Sequence, residues 1–394
     1  MTETHDPFGL ASGVMHFDTG PILVFWETTR ACLLACRHCR AEAVERPLPG
    51  QLSTEEGLAL IRDLAGFGPR PPVLILTGGD ALMRPDLFEL AAFARSLGIP
   101  IGLAPSVTPL LTKEVLKRLR ALEVRSVSIS LDGASAATHE EIRQVPGHFD
   151  VTLAALELLV GEGFRVQVNT AVMRDNVEEL ADVAALVKAL GVTVWEVFFL
   201  IRVGRATGVE ELTPEDNEDV AHFLFDASRY GLTVRTVEAP FFRRVVAWRM
   251  AVGMAMDPAE AFSLGPLYRC LSARLRERLG EPADIARARS AGTRDGKGLV
   301  FVSHDGHVYP AGFLPLSLGN VRERSIVDIY RHHPLLRAIR RAEFSGRCST
   351  CEYRDLCGGS RARAYAACGD PLGEDPGCPY VPAGGPSLRS RRDG

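Results

Sequence analysis

Seven of the nine cysteines in this 394-residue chain fall into two spaced groups, and their spacing is what could do chemistry. Cys32, Cys36 and Cys39 form a C-x3-C-x2-C run, while Cys348, Cys351, Cys357 and Cys378 follow C-x2-C-x5-C-x20-C. Short-spaced thiols in a reducing compartment read as metal or cluster ligands before disulfides. Three thiolates hold three irons of a four-iron cluster and leave the fourth open to a non-protein ligand; four thiolates saturate one. Zinc is the alternative at each group. It usually takes four ligands, and the first group would have to recruit His38, which lies between Cys36 and Cys39. Cys270 and Cys368 read as buried, inert thiols, with Cys368 otherwise a substitute ligand for the second group.

The elements that must position these thiols alternate. Apolar runs recur at 22–29, 72–77, 99–104, 124–132, 164–172 and 192–200, with helical patterns between them. One helix opens with Ser53 and Glu56 in capping-box register. Six strands alternating with helices predict an α/β protein with a parallel sheet and right-handed crossovers. Six units fall short of a closed eightfold barrel, so the expected form is a partial, open (β/α)6 TIM-like barrel with its site at the strand C-terminal ends. The nearly all-apolar strands suggest a sheet covered on both faces. The first cysteine group follows the first strand directly.

Beyond about residue 212 the alternation stops. The organisation read from the pattern is an N-terminal segment (1–20), the partial barrel (21–211), a helical connecting region (212–296), a cysteine-rich domain (297–382) and a solvated tail (383–394). The cysteine-rich domain begins with a hairpin around Asp305-Gly306. A formal net charge of −4 argues against a dedicated nucleic-acid binder. No apolar run is long enough for a membrane span, and the N-terminus lacks a basic segment followed by an apolar core. A cytoplasmic location follows as the expectation.

With its open-site spacing after a strand, CLLACRHC resembles the cysteine motif of the radical S-adenosylmethionine (radical SAM) superfamily, over roughly residues 20–200. Further motifs arrive in the family's order. TGGD ends the second strand, where the resemblance implies that Gly78, Gly79 and Asp80 receive the methionine amino group. SISLDG implies Ser130 and Asp132 at the ribose, His38 against the adenine, and Asn169 with Thr170 as weaker candidates. The implied cofactors are S-adenosylmethionine and a [4Fe-4S] cluster, which together yield a 5′-deoxyadenosyl radical that abstracts a substrate hydrogen. The implied partners are a small-molecule substrate and an external electron donor such as flavodoxin or ferredoxin.

The tail resembles the SPASM extension of these enzymes across about residues 297–380. Two-cluster members carry cysteines where this chain has Ala311 and Arg361, so one auxiliary [4Fe-4S] cluster on Cys348, Cys351, Cys357 and Cys378 is expected. In finer detail the chain resembles the branch that makes heme and heme d1, including the coproheme decarboxylases. Ala81, Phe241 and Ala311 depart from that branch and suggest a divergent member. Arg243 and Arg244 read either as partners for substrate carboxylates or as a structural pair. Three substrate classes stay open: a tetrapyrrole side chain, a peptide, and a small natural product such as a nucleoside or sugar, with sulfur insertion among its outcomes. A non-catalytic iron–sulfur electron carrier is the rival from another class.

Overall fold

The computed structural model describes residues 17–252, 256–282, 285–288 and 292–382. The N-terminal residues 1–16 and the tail read as solvated, 383–394, lie outside them. The backbone of the fold is one ten-stranded sheet. Its strands are β1 (Leu23–Glu27), β2 (Val73–Thr77), β3 (Ile101–Leu103), β4 (Ser126–Ser130), β5 (Arg165–Val172), β6 (Val194–Phe199), β7 (Thr233–Val237), β8 (Leu299–Val302), β9 (His307–Tyr309) and β10 (Gly319–Asn320). They lie in the order β10-β9-β8-β1-β2-β3-β4-β5-β6-β7. Pairing is parallel from β8 through β1 to β7, and antiparallel from β8 to β9 and β9 to β10.

The predicted six strands are present, and two more parallel strands extend the array. β7 comes from the region expected to be helical, and β8 pairs with β1 in register, Phe25 opposite Phe301. The hairpin turns at Asp305-Gly306 as expected, with Gly306 at φ 86°. The C-terminal domain therefore grows directly out of the barrel edge.

Burial corrects the expectation of a sheet covered on both faces. In β2, β4, β5 and β6 buried residues alternate with half-buried ones. Trp26, Leu76, Ile129, Val168 and Trp195 are sealed on the helix-covered side. The other face, carrying Ser128, Ser130, Gln167, Asn169 and Glu196, is only half-buried and lines a concavity. The covering helices follow ordinary rules. Ser53 caps Thr54–Ala65 in a full capping box, its N–H donating to Glu56 Oε2 at 2.7 Å while Glu56 N–H donates to Ser53 Oγ at 3.2 Å. No helix among the described residues is long and apolar enough to cross a membrane.

Candidate active site

The cysteine run leaves the C-terminal end of β1 and folds back across the end of β2. Thr28 N–H donates to Thr77 O at 2.8 Å, Gly79 N–H to Thr29 O at 2.7 Å, and Asp80 N–H to Ala31 O at 2.6 Å. This contact explains the glycine pair. A Cβ on Gly79 would lie 2.3 Å from Ala31 O, and one on Gly78 would lie 2.5 Å from Thr29 O. Only bare backbone lets the cysteine loop settle there. On the far side Arg205, after β6, donates to Cys36 O and Ala43 O, each at 3.0 Å. The loop is thus held from both rims of the open barrel.

Within it Cys32 and Cys36 are buried, Cys39 is half-buried, and the three pack with Leu34, Ala43 and Val145. Arg143 donates to Cys36 Sγ at 3.6 Å, and Ser106 Oγ lies 3.4 Å from Cys32 Sγ. Burial pushes the Cys32 thiol above its ordinary range. Iron binding would take the thiolate form and release that proton. Leu33, half-exposed at 52%, rims a cleft of about 530 Å³ beside Cys32.

The residues read as S-adenosylmethionine contacts divide into two sets. Asp80 is fully buried, and its carboxylate accepts from Leu82 N–H (3.1 Å), Ser106 N–H (3.3 Å) and Thr108 Oγ (2.8 Å). It ties the loop after β3 to the cysteine loop, and burial raises its pKa. Asp132 is likewise interior. It forms an ion pair with Arg143 at 2.6 Å and accepts from Ala171 N–H at 2.8 Å. His38 Nε2 stands 3.5 Å from the same carboxylate, and burial lowers the ring's pKa to about 4. As placed, the two acids and the glycine pair hold one protein segment to another. Ser130 and Asn169 differ. They are register partners on the half-buried face, and Gln167 donates to Asn169 Oδ1 at 2.8 Å. Thr170 faces the other way, donating to Leu131 O at 2.7 Å.

At the C-terminal site Cys348, Cys351, Cys357 and Cys378 line one cleft with Arg244, Tyr353, Gly359 and Tyr380. Burial raises the thiols of Cys357 and Cys378 to about 11 and about 12. Four thiols converging in a cleft also lined by Arg244, Arg347 and Arg354 suit an anionic iron–sulfur cluster. Arg244 pairs with Glu218 at 2.7 and 2.6 Å and reaches Cys378 Sγ at 3.9 Å. Arg243 donates to Leu356 O at 3.0 Å. This pair is therefore built into the structure around the second cysteine group. Cys368 lies outside the cleft and donates to Ala364 O at 3.2 Å. Cys270 and Cys368 are both exposed, which corrects their reading as buried thiols. Cys270 sits on the solvent side of the 14-residue helix Pro266–Leu279, and Cys368 at the exposed C-terminal end of Arg361–Cys368.

Residues 26–187 match the model of the radical SAM superfamily, and 294–352 match that of the SPASM iron–sulfur cluster-binding domain. The AdoMet-dependent heme synthase of Oleidesulfovibrio alaskensis is 37% identical over 365 residues, covering 91% of this chain and 87% of that one. The chain belongs to the radical SAM superfamily. A second relative, the AdoMet-dependent heme synthase of Methanosarcina barkeri, is 36% identical over 92% of this chain and 97% of its own. Streptococcus suis SuiB bound to S-adenosylmethionine shares the fold, with a TM-score of 0.62 at 13% identity over 92% of this chain and 76% of SuiB. This radical SAM enzyme accordingly combines S-adenosylmethionine and a [4Fe-4S] cluster with a C-terminal auxiliary iron–sulfur domain. The SPASM match ends after Cys351, so geometry alone groups Cys357 and Cys378 with it.

Several residues around the radical SAM site escaped sequence reasoning. Arg143 and Arg205 come from later units of the barrel and carry no motif. Gln167 was legible in principle, since polar residues alternate with apolar ones from Arg165 to Asn169, and Glu196 as a lone acid in an otherwise apolar strand. Ser130, Asn169, Glu196 and Arg235 lie in one row across β4 to β7. Glu196 accepts from Gln167 at 2.8 Å, and burial raises its pKa against the opposing charge of Arg235.

Proposed function

We propose that this enzyme oxidatively decarboxylates a carboxylate-bearing tetrapyrrole, using Cys32, Cys36 and Cys39 for the radical-generating cluster. The carrying observation is that these three thiols are presented at the C-terminal ends of the strands, at the mouth of a half-buried concavity lined by polar side chains. Bound there, cluster and S-adenosylmethionine supply a 5′-deoxyadenosyl radical for hydrogen abstraction. The protein's own part is positioning. Arg143 and Ser106 contact the thiols, Asp80 and Asp132 lock the loops after β3 and β4, and Ser130 and Asn169 remain on the open face for the cofactor.

The concavity suits a flat aromatic substrate with acidic arms. Phe25 and Phe301 are register partners on its β1–β8 side, Arg40 lies 4.3 Å over the Phe301 ring, and Phe198 meets Phe313 at 6.2 Å. Aromatic walls stack a macrocycle, and guanidinium groups such as Arg40 and Arg235 pair with its carboxylates. The heme synthase relatives favour a tetrapyrrole over the peptide and natural-product alternatives. Residues 21–211 would then carry the radical site, 212–296 connect, and 297–382 hold a single auxiliary [4Fe-4S] cluster on Cys348, Cys351, Cys357 and Cys378. We place the enzyme in the cytoplasm, reduced by a flavodoxin or ferredoxin.

The test is anaerobic reconstitution and reduction with S-adenosylmethionine and an iron porphyrin bearing propionates. The expected result is 5′-deoxyadenosine together with loss of carbon dioxide from the porphyrin, and neither from the Cys36→Ala protein. Release of 5′-deoxyadenosine by Cys36→Ala overturns the site assignment. Release by the parent protein with the porphyrin left intact overturns the substrate.

A further inference from the structure

Arg361 opens the helix Arg361–Cys368, four residues after Cys357. Its side chain is fully buried. Every hydrogen bond of its guanidinium ends on a carbonyl or on sulfur. Nε donates to Gly359 O at 3.2 Å, Nη1 to Gly373 O at 2.6 Å and Pro371 O at 3.3 Å, and Nη2 to Cys348 Sγ at 3.8 Å. The Phe344 ring lies 4.4 Å from its central carbon. A buried cation is costly unless an anion matches it. Here the anion would come from the thiols themselves, which lose their protons when iron binds.

At Cys378 the arrangement is different. Arg244 also approaches a ligand sulfur, Cys378 Sγ at 3.9 Å, yet its charge is already matched by Glu218 at 2.7 and 2.6 Å. It is further flanked by Trp248 at 4.3 Å and Tyr380 at 4.8 Å. Among the described residues no carboxylate accepts from the Arg361 guanidinium, Asp295 accepting from its backbone N–H instead, whereas the Arg244 guanidinium is shared with Glu218.

We propose that Arg361 sets the reduction potential of the auxiliary cluster, with the Arg244–Glu218 pair at Cys378 as its counterweight. The inference rests on the reading that the four cysteines hold one cluster. Reduction adds a negative charge to the cluster, and a fixed cation in a low-dielectric site stabilises that added charge. The potential therefore rises, as it does when charge and hydrogen bonds around cluster sulfurs change. A raised potential serves the proposed reaction. When a propionate arm has lost a hydrogen atom from its ring-proximal carbon, breaking the bond to the carboxylate gives an alkene, carbon dioxide and one electron. A cluster held by Cys348, Cys351, Cys357 and Cys378 would supply the one-electron acceptor for it. Arg361 and Arg244 are positioning residues in this scheme, acting through the cluster.

The test is a redox titration followed by electron paramagnetic resonance in the Cys32/Cys36/Cys39 triple-alanine protein, where only the auxiliary cluster reports. Arg361→Gln removes the cation beside Cys348 and lowers the midpoint. At the parent's midpoint potential the ratio of reduced to oxidised cluster should fall about tenfold, a shift of about 59 mV for one electron. Arg361→Lys keeps the charge and stays near the parent. Glu218→Gln strips Arg244 of its carboxylate and moves the midpoint the opposite way, upward. Opposed shifts with iron content intact support the proposal; shifts of one sign, or none, overturn it. Should Arg361→Gln fail to hold iron, Glu218→Gln decides alone: a raised midpoint supports the proposal and an unchanged one overturns it. A parent protein with no iron overturns the cluster reading itself, and the proposal with it.

Discussion

Replacing Gly79 by alanine should abolish the radical-generating site while sparing the fold. The added Cβ would lie 2.3 Å from Ala31 O and 2.7 Å from Arg30 O, both of them backbone atoms that no rotamer change can move aside. To bring the first contact to an ordinary 3.4 Å, the cysteine loop must recede by about 1.1 Å. That movement breaks the bonds from Gly79 N–H to Thr29 O and from Asp80 N–H to Ala31 O. Two hydrogen bonds at ~1 kcal/mol each and an overpacking term of ~1–3 kcal/mol give roughly 3–5 kcal/mol against the native loop position. Nothing obliges the sheet beneath to follow, since Leu74 and Leu76 on β2 are anchored in the helix-covered core. The assay is iron and sulfide content after reconstitution, 5′-deoxyadenosine release, and far-ultraviolet circular dichroism. Iron should fall from about eight to about four per chain as the first cluster is lost. 5′-Deoxyadenosine should disappear and the secondary structure should stay. Gly161→Ala is the control, because a Cβ there meets nothing within 4 Å. A Gly79→Ala protein with full iron content and normal S-adenosylmethionine cleavage would refute the argument from close approach.

The committed carboxylate of Asp80 predicts that Asp80→Ala loses first-site iron along with S-adenosylmethionine binding, because Ser106 beside Cys32 is released. Full iron content with weakened cofactor binding, measured on the same preparation, would return Asp80 to the role of a direct ligand. Cys368→Ser and Cys270→Ser should each leave iron content unchanged; a fall of about four irons in the Cys368 variant would make it a cluster ligand. Burial depresses His139 to about 3 from its ordinary 6.5, so the unfolded chain protonates first as pH falls. The stability this residue lends is complete above about pH 6.5 and declines on acidification, by about 2 kcal/mol at pH 5. Urea midpoints of the iron-free protein between pH 7.5 and 5 should therefore slope less in His139→Asn, and equal slopes would sink the assignment.

The sequence by itself carried the chemistry. Ligand thiols at fixed spacing on one loop are a local property of the chain, so Cys32, Cys36 and Cys39 could be read without a fold. Strand–helix alternation is likewise local, and it announced the parallel sheet. The hairpin at Asp305-Gly306 and the cap at Ser53 were legible for the same reason. β7 was harder to read because Thr233–Val237 is short, sets Arg235 and Thr236 side by side and has only two apolar residues, so it gives neither an apolar run nor a clean alternation.

Tertiary structure decided the roles of the residues around the thiols. Asp80 and Asp132 are acids at strand ends, and whether such an acid faces a ligand or a neighbouring loop depends on segments far along the chain. Ser106 and Thr108 claim the first, and Arg143 claims the second. The exposure of Cys270 is set by which side of its helix packs inward, and that of Cys368 by which end of its helix does. The meeting of Arg244, Arg361 and the four distal cysteines joins segments more than a hundred residues apart. Local pattern names the groups able to react; only packing assigns their partners, because a hydrogen bond or ion pair forms with whatever the fold brings within reach.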